Sequence, residues 1–246
     1  MKIGFIGSGN MARAIALGLG QPGMFSDSGS GRADKLAQLT GGTAADPEEV
    51  AGSAEILFLC HKPAQMAEIA TRIGHFDGVV VSVLAATSLS SLRHAYPVAT
   101  IVRAMPNTPV ELNAGVICVA GESDASPECD VMLERLGRVV RLPESQLDLA
   151  TAIGGCAPAF FALFAGLLLE QATVRGMDPE IARVIVGGTL AGTASLLDAN
   201  AMDTAATIAA VASPGGLTER ALASFDQSGL NGAIGRAVAT VLGEPT

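Results

Sequence analysis

The chain of 246 residues has no tryptophan and one tyrosine. Its core must therefore be built from Ala, Leu, Val and Ile. Charged residues make up 16% against 49% hydrophobic, a balance that excludes a disordered chain. Positive charge is scarce. The 15 Lys and Arg face 24 Asp and Glu, for a net charge of −9, which argues against a general nucleic-acid or acidic-membrane binder. An anionic ligand stays possible, because backbone dipoles act locally. Cysteine and histidine are few: Cys60, Cys118, Cys129 and Cys156, with His61, His75 and His94. No C-x-x-C spacing occurs, so no metal site is expected, and reduced thiols are the simpler reading. Repeats and low-complexity tracts are lacking. No basic n-region precedes the first strand, and no uncharged apolar run of about 18 residues is expected. Neither a signal peptide nor a membrane span is expected, and a cytoplasmic location is the default.

What is there begins at the N-terminus. Lys2-Ile3-Gly4-Phe5-Ile6-Gly7-Ser8-Gly9-Asn10-Met11-Ala12 reads as a strand, a tight glycine turn and a helix start. The spacing G-x-G-x-x-A is a dinucleotide fingerprint variant. Gly7 permits the turn, Gly9 lets phosphates approach the backbone, and Ala12 permits close helix–strand packing. Free N–H groups and the helix dipole converge on a point suited to a pyrophosphate. A glycine turn alone is weak evidence. The strand before it and the helix after it supply the context.

Further strands are expected over residues 23–27, 55–60, 78–84, 98–104, 115–120 and 138–142, alternating with helices. That alternation predicts a parallel sheet with helices on both faces. Asp46-Pro47-Glu48-Glu49 is a helix start. From residue 148 onward no convincing strand appears. Helices are expected near residues 158–175, 178–198, 204–211, 215–225 and 230–241. The expected architecture is α/β: a Rossmann-type doubly wound sheet over residues 1–147, then an all-α dimerisation and substrate domain over 148–246. So apolar a helical segment is expected to bury surface against a second copy.

Four stretches carry possible chemistry: Cys60-His61-Lys62-Pro63, Arg103-Ala104-Met105-Pro106-Asn107-Thr108-Pro109, Ser213-Pro214-Gly215-Gly216-Leu217-Thr218, and Thr151-Ala152-Ile153-Gly154-Gly155-Cys156-Ala157-Pro158, which joins the two halves. The first two lie at the carboxyl edge of the sheet, where cofactors sit. The third offers free N–H groups for a carboxylate. Each has a plainer reading. Lys62 is a helix-start residue at the surface or a cofactor-edge lysine. His61 packs at the cofactor edge, with no acid nearby to make it a base. Asn107 turns the chain between two prolines, Arg103 neutralises sheet-edge carbonyls, Cys156 fills a small space, and Thr218 caps its own helix. Asp27 ends the second strand, where an acid binds the ribose 2′-OH of NADH. Ser28, Ser30 and Arg32 beside it suit the 2′-phosphate of NADPH, so these residues leave NADH and NADPH open.

The F-I-G-S-G-N-M-A turn, the K-P after the strand, the R-x-M-P-N-T-P run and the S-P-G-G-x-T run resemble, in order, the pyrroline-5-carboxylate reductase family. They span nearly the whole chain, and the last two are far more specific than the glycine turn. The resemblance implies NAD(P)H-dependent reduction of the cyclic imine 1-pyrroline-5-carboxylate to L-proline, with NADPH favoured over NADH, on a homodimer or an oligomer of dimers with its active site at the dimer interface. It implies that Ile6, Gly7, Ser8, Gly9, Asn10 and Met11 cradle the pyrophosphate. Cys60, His61, Lys62, Pro63, Ala104, Met105, Pro106 and Asn107 would line the path from adenosine to nicotinamide. Ser213, Gly215, Gly216 and Leu217 would hold the substrate carboxylate, and Thr218 would hydrogen-bond the ring nitrogen. The chain also departs from the pattern. Gly154-Gly155-Cys156-Ala157-Pro158-Ala159-Phe160 stands where the family has S-G-S-G-P-A-Y, Gly166 replaces an acid, and the K-D pair before S-P-G-G is apolar. These changes leave open a reductase or dehydrogenase of another imine or 2-oxo/hydroxy acid, or a non-catalytic nucleotide-binding paralogue.

Overall fold

The computed structural model describes residues 1–121 and 126–245. They form two compact units, Met1–Pro158 and a second from Ala159 onward.

The first unit is built on one sheet of eight strands, in the order β3-β2-β1-β4-β5-β6-β7-β8. The strands are β1 Ile3–Ile6, β2 Met24–Ser26, β3 Thr43–Ala44, β4 Ile56–Leu59, β5 Val79–Ser82, β6 Thr100–Pro106, β7 Gly115–Gly121 and β8 Gly137–Arg141. The first six follow the 3-2-1-4-5-6 order of the dinucleotide-binding fold. β1 and β4 are buried at every position, as strands covered on both faces must be. Their register brings Phe5 opposite both Phe25 and Phe58. The three rings stack with centroids 5.0 Å apart on either side of Phe5, a cross-strand ladder that pins the middle of the sheet.

Helices α1 Asn10–Leu19, α2 Arg32–Thr40 and α6 Pro127–Glu134 place Ile15, Leu36 and Leu133 in the same apolar cluster as Phe5. Helices α3 Pro47–Ser53, α4 Met66–Ile73, α5 Leu89–Ala95 and α7 Leu147–Ala150 place Val50, Ile69, Leu92 and Leu147 with Ile6 and Leu59. Phe5 and Ile6 are adjacent in a strand, so the two clusters occupy opposite faces.

The sheet is not wholly parallel: β6 and β7 pair antiparallel. Only a 3-10 turn, Thr108–Leu112, joins them. A parallel return needs a crossover of about a dozen residues or more. Three elements escaped the sequence reading. α7 is a single turn of four residues. β3 is two residues long, too short for any periodicity. α5 is capped by Ser88, whose Oγ accepts from Ser91 N–H, a signal hidden in a run of serines.

The second unit is helical: α8 Ala157–Val174, α9 Pro179–Ala199, α10 Thr204–Val211, α11 Leu217–Gln227 and α12 Leu230–Leu242. A single π turn, Thr151–Gly155, precedes α8. The side chain of Asp178 caps α9 and that of Asp203 caps α10. The expectation of no long apolar run is corrected here. Residues 149–169 carry no charge, and the helical stretches Glu144–Val174 and Pro179–Ala199 are long and apolar enough, by length and composition, to cross a membrane. Large apolar side chains stand exposed along both, among them Leu163 and Val184.

Candidate functional site

The strand order reverses between β1 and β4, and a crevice opens at their carboxyl ends. Ile6, Gly7, Ser8, Gly9, Asp27, Arg32, Cys60, His61 and Lys62 line one cavity of about 330 Å³ there. That volume lies within the ligand-pocket range.

The glycine turn is pinned from below. Gly7 N–H donates to Ser26 O at 3.0 Å, and Ser8 Oγ donates to the same carbonyl at 2.9 Å. Gly7 has φ +97°. A Cβ there would lie 2.6 Å from Cys60 C and His61 N, so the turn and the end of β4 meet backbone to backbone. Gly9 differs: a Cβ there would meet nothing within 4 Å. Gly9 is also the N-cap of α1, and no side chain caps that helix. The free N–H groups of the first turn therefore face open space. This cradle fits a pyrophosphate.

His61 is held by its Nδ1, 2.9 Å from Lys62 O. That contact makes Nδ1 the protonated nitrogen and leaves Nε2 as acceptor. Nε2 is buried without a partner. Burial pushes the imidazole below its usual value, so the ring is neutral near pH 7. Burial pushes the Cys60 thiol far up, which leaves it a packing group and not a nucleophile.

Asp27 is the most heavily bonded side chain in the wall. Its Oδ1 accepts from Gly29 N (2.7 Å) and Ser30 N (3.1 Å). Its Oδ2 accepts from Ser30 Oγ (2.8 Å), Arg32 N (2.7 Å) and Ala33 N (3.0 Å). Burial alone would raise its pKa. The bonds from Ala33, Ser30, Gly29 and Arg32 outweigh burial and hold it at about 2.

Other expected residues lie elsewhere. Asn10 lines a second hollow with Arg13 and Lys35, and Ser8, Gly9 and Arg32 line both. Met11 packs against the core. Pro63 opens a 3-10 turn, Pro63–Gln65, that runs into α4. Ala104, Met105, Pro106 and Asn107 close β6 away from this cavity. Asn107 is spent on structure: its Nδ2 donates to Gly154 O at 3.3 Å and its Oδ1 accepts from Val116 N at 2.9 Å.

In the second unit, Ser213, Gly215, Gly216, Leu217 and Thr218 form a turn into α11. Gly216 N donates to Ser213 O at 2.9 Å. Gly215 has φ +71°, and its N–H donates to Glu219 Oε2 at 2.7 Å. A Cβ on Gly216 would lie 2.8 Å from the backbone oxygen of Ser213, so a larger residue there would force the turn to shift. Sequence reasoning missed Ser26, Gln65 and Arg72, which also line the cavity. Arg72 is engaged by Glu48 at 2.8 and 2.9 Å. The K-P helix start signals Gln65; nothing in sequence marks Arg72.

Comparison with known proteins agrees with this geometry. Residues 144–243 match the family model for pyrroline-5-carboxylate reductase dimerisation. Residues 2–86 match the model for NADP oxidoreductase, coenzyme F420-dependent. The chain is 33% identical to pyrroline-5-carboxylate reductase 3 of Macaca fascicularis, over 96% of this chain and 92% of that one. It is 31% identical to pyrroline-5-carboxylate reductase of Haemophilus influenzae, over 98% and 94%. The solved 1-pyrroline-5-carboxylate reductase of Streptococcus pyogenes superposes with a TM-score of 0.88 at 26% identity, covering 98% of this chain and 96% of that one. The Plasmodium falciparum pyrroline carboxylate reductase, solved with NADP bound, superposes with a TM-score of 0.86 at 21% identity, covering 98% and 95%. With relatives this similar over nearly their whole length, and a glycine turn at the reversal of the strand order, the chain belongs to the pyrroline-5-carboxylate reductase family.

Proposed function

We propose that the chain reduces 1-pyrroline-5-carboxylate to L-proline with NAD(P)H, favouring NADPH. The observation that carries this reading is the pinned Gly7–Gly9 turn, whose open face and uncapped α1 suit a pyrophosphate, in a chain with these relatives. The dinucleotide supplies the hydride, so the protein needs no nucleophile. Its own residues position and neutralise. Ile6, Gly7, Ser8, Gly9, Asn10 and Met11 hold the pyrophosphate through backbone N–H groups and the start of α1. Cys60, His61 and Lys62 wall the adenosine half. Pro63 sets the turn behind them, and Ala104, Met105, Pro106 and Asn107 form the nicotinamide-side edge.

Ser213, Gly215, Gly216 and Leu217 bind the substrate carboxylate. Thr218 hydrogen-bonds the ring nitrogen, accepting from the protonated imine and donating to the product amine. The chain acts as a homodimer or an oligomer of dimers. Residues 148–246 form the dimerisation and substrate domain, residues 1–147 bind the cofactor, and the protein works in the cytoplasm.

The test is direct. Purified protein with 1-pyrroline-5-carboxylate should consume NADPH, and NADH more weakly. Thr218→Ala should lower turnover about 10²- to 10⁴-fold, the usual value of a positioned proton-handling group. Its NADPH affinity should stay within about 2-fold, because Thr218 is assigned no cofactor contact. Turnover of a hydroxy acid with NADP⁺ and none of the imine would favour the other dehydrogenase reading.

A further inference from the structure

An acid at the end of the second strand ordinarily marks an NADH site, because its carboxylate accepts from the ribose hydroxyls. Asp27 stands at that place and cannot serve there. A carboxylate offers about four lone-pair sites, and this one already takes five donors from its own loop. Two of them, the N–H groups of Arg32 and Ala33, belong to the first turn of α2, whose N-cap Gly31 (φ 71°) provides no side-chain cap. Asp27 thus caps α2 from outside and folds residues 28–31 around itself. Releasing its oxygens to a ribose would strip the cap from the helix and the turn from the loop.

The loop so folded places Ser28, Ser30 and Arg32 in the cavity wall. Arg32 also reaches the second hollow beside Lys35. Among the described residues no carboxylate pairs with the Arg32 guanidinium. Of the other charged groups in the wall, Arg72 is engaged by Glu48, while Lys62 and Glu68 oppose each other in sign. The free cation of this loop is therefore Arg32.

We propose that Asp27 is a positioning residue for cofactor choice: it reads no ribose hydroxyl, and by holding the 28–33 loop it presents Arg32, Ser28 and Ser30 to the 2′-phosphate of NADPH. This rests on the cofactor reading above. The sign of its effect is opposite to that of a ribose-binding acid. Removing a ribose-binding acid weakens NADH and relieves repulsion of NADPH. Removing Asp27 should weaken NADPH and leave NADH nearly alone.

The experiment uses the full chain and the variants Asp27→Ala, Asp27→Asn and Arg32→Ala. Dissociation constants for NADPH and NADH come from nicotinamide fluorescence. Competition by 2′-AMP against 5′-AMP isolates the phosphate contact. Asp27→Ala should weaken NADPH and 2′-AMP about 10-fold or more, with NADH changed less than about 3-fold, as expected for loss of one charge-assisted contact. Asp27→Asn, which keeps one acceptor oxygen, should fall between. Tighter NADPH with weaker NADH in either variant overturns the proposal. Amide hydrogen exchange in the cofactor-free protein supplies a second readout. Gly29, Ser30, Arg32 and Ala33 should lose protection in Asp27→Ala, and unchanged protection also overturns it. Arg32→Ala separates the underlying reading. If that variant keeps full NADPH and 2′-AMP affinity, the 2′-phosphate site is not on this loop, and the choice assigned to Asp27 falls with it, whatever the exchange data show of the loop.

Discussion

Arg103 and Glu144 are joined at a shared oxygen. The Nη1 of Arg103 donates to Glu144 Oε1 at 3.2 Å, and the same oxygen accepts from Leu89 N–H at 2.6 Å. The Nη2 of Arg103 reaches Asp148 Oδ1, also at 3.2 Å. Arg103 lies on β6 and is 5% exposed. One buried guanidinium thus ties the sheet to the start of α5 and to α7.

Removing that tie should cost stability. Glu144 keeps its bond to Leu89 and Asp148 faces solvent, so the loss falls below the full penalty of an orphaned buried charge. Arg103→Ala should lose about 2 kcal/mol of unfolding free energy, and Glu144→Gln less than about 1. Urea titration of both variants measures this. Equal losses would show that Asp148 contributes nothing.

The two glycines of the turn should fail differently. Gly7→Ala puts a Cβ against the Cys60–His61 backbone at a positive φ. It should destabilise the first unit by about 3 kcal/mol or more, or prevent folding. Gly9→Ala meets open space and should leave stability within about 1 kcal/mol. Its methyl points where the phosphates approach, so NADPH affinity should drop at least about 10-fold. Calorimetry and fluorescence titration on the same samples separate the two effects. A Gly9→Ala protein that binds normally would move the pyrophosphate off this turn.

Asp27 should shape the acid limb of the stability curve. Its folded pKa lies below the ordinary carboxyl value, at about 2. The unfolded chain therefore binds the proton first as pH falls. The stabilisation is complete above the unfolded value and is lost as pH drops through the folded one. Urea midpoints of the parent and Asp27→Asn should differ most at pH 5 and converge towards pH 2. A constant difference would mean that the variant acts through packing and not through the charge.

The second unit should depend on its copy. Leu163 and Val184 are 64% and 75% exposed, on segments that match the dimerisation model. Sedimentation should give a dimer or larger, with a melting temperature that rises with protein concentration. Leu163→Glu with Val184→Glu should yield a monomer of lower melting temperature. A parent protein that sediments as a monomer at micromolar concentration would remove the dimer from the proposed function.

Much of this was legible in the chain itself. Ile56–Leu59 and Val79–Val81 are uninterrupted apolar runs, as strands of a sheet covered on both faces are. The proline and acids after Asp46 and Asp178 mark helix starts, since each cap precedes a proline at the first helical position. G-x-G-x-x-A located the cradle because the geometry it encodes is local, confined to one turn. The antiparallel β7 was not legible: its direction follows from the shortness of the 108–112 connection, while its composition matches that of a parallel strand.

What the sequence by itself determined was the alternation of strands and helices, the place of the glycine turn and the family. These rest on short-range patterns of side-chain type and spacing. What only the tertiary structure decided was which polar groups are already spent. Asn107 is consumed by Gly154 and Val116, Arg72 by Glu48, and Asp27 by five donors of its own loop. A hydrogen-bonding group has a fixed capacity, and the partners that fill it are set by how the chain folds back on itself.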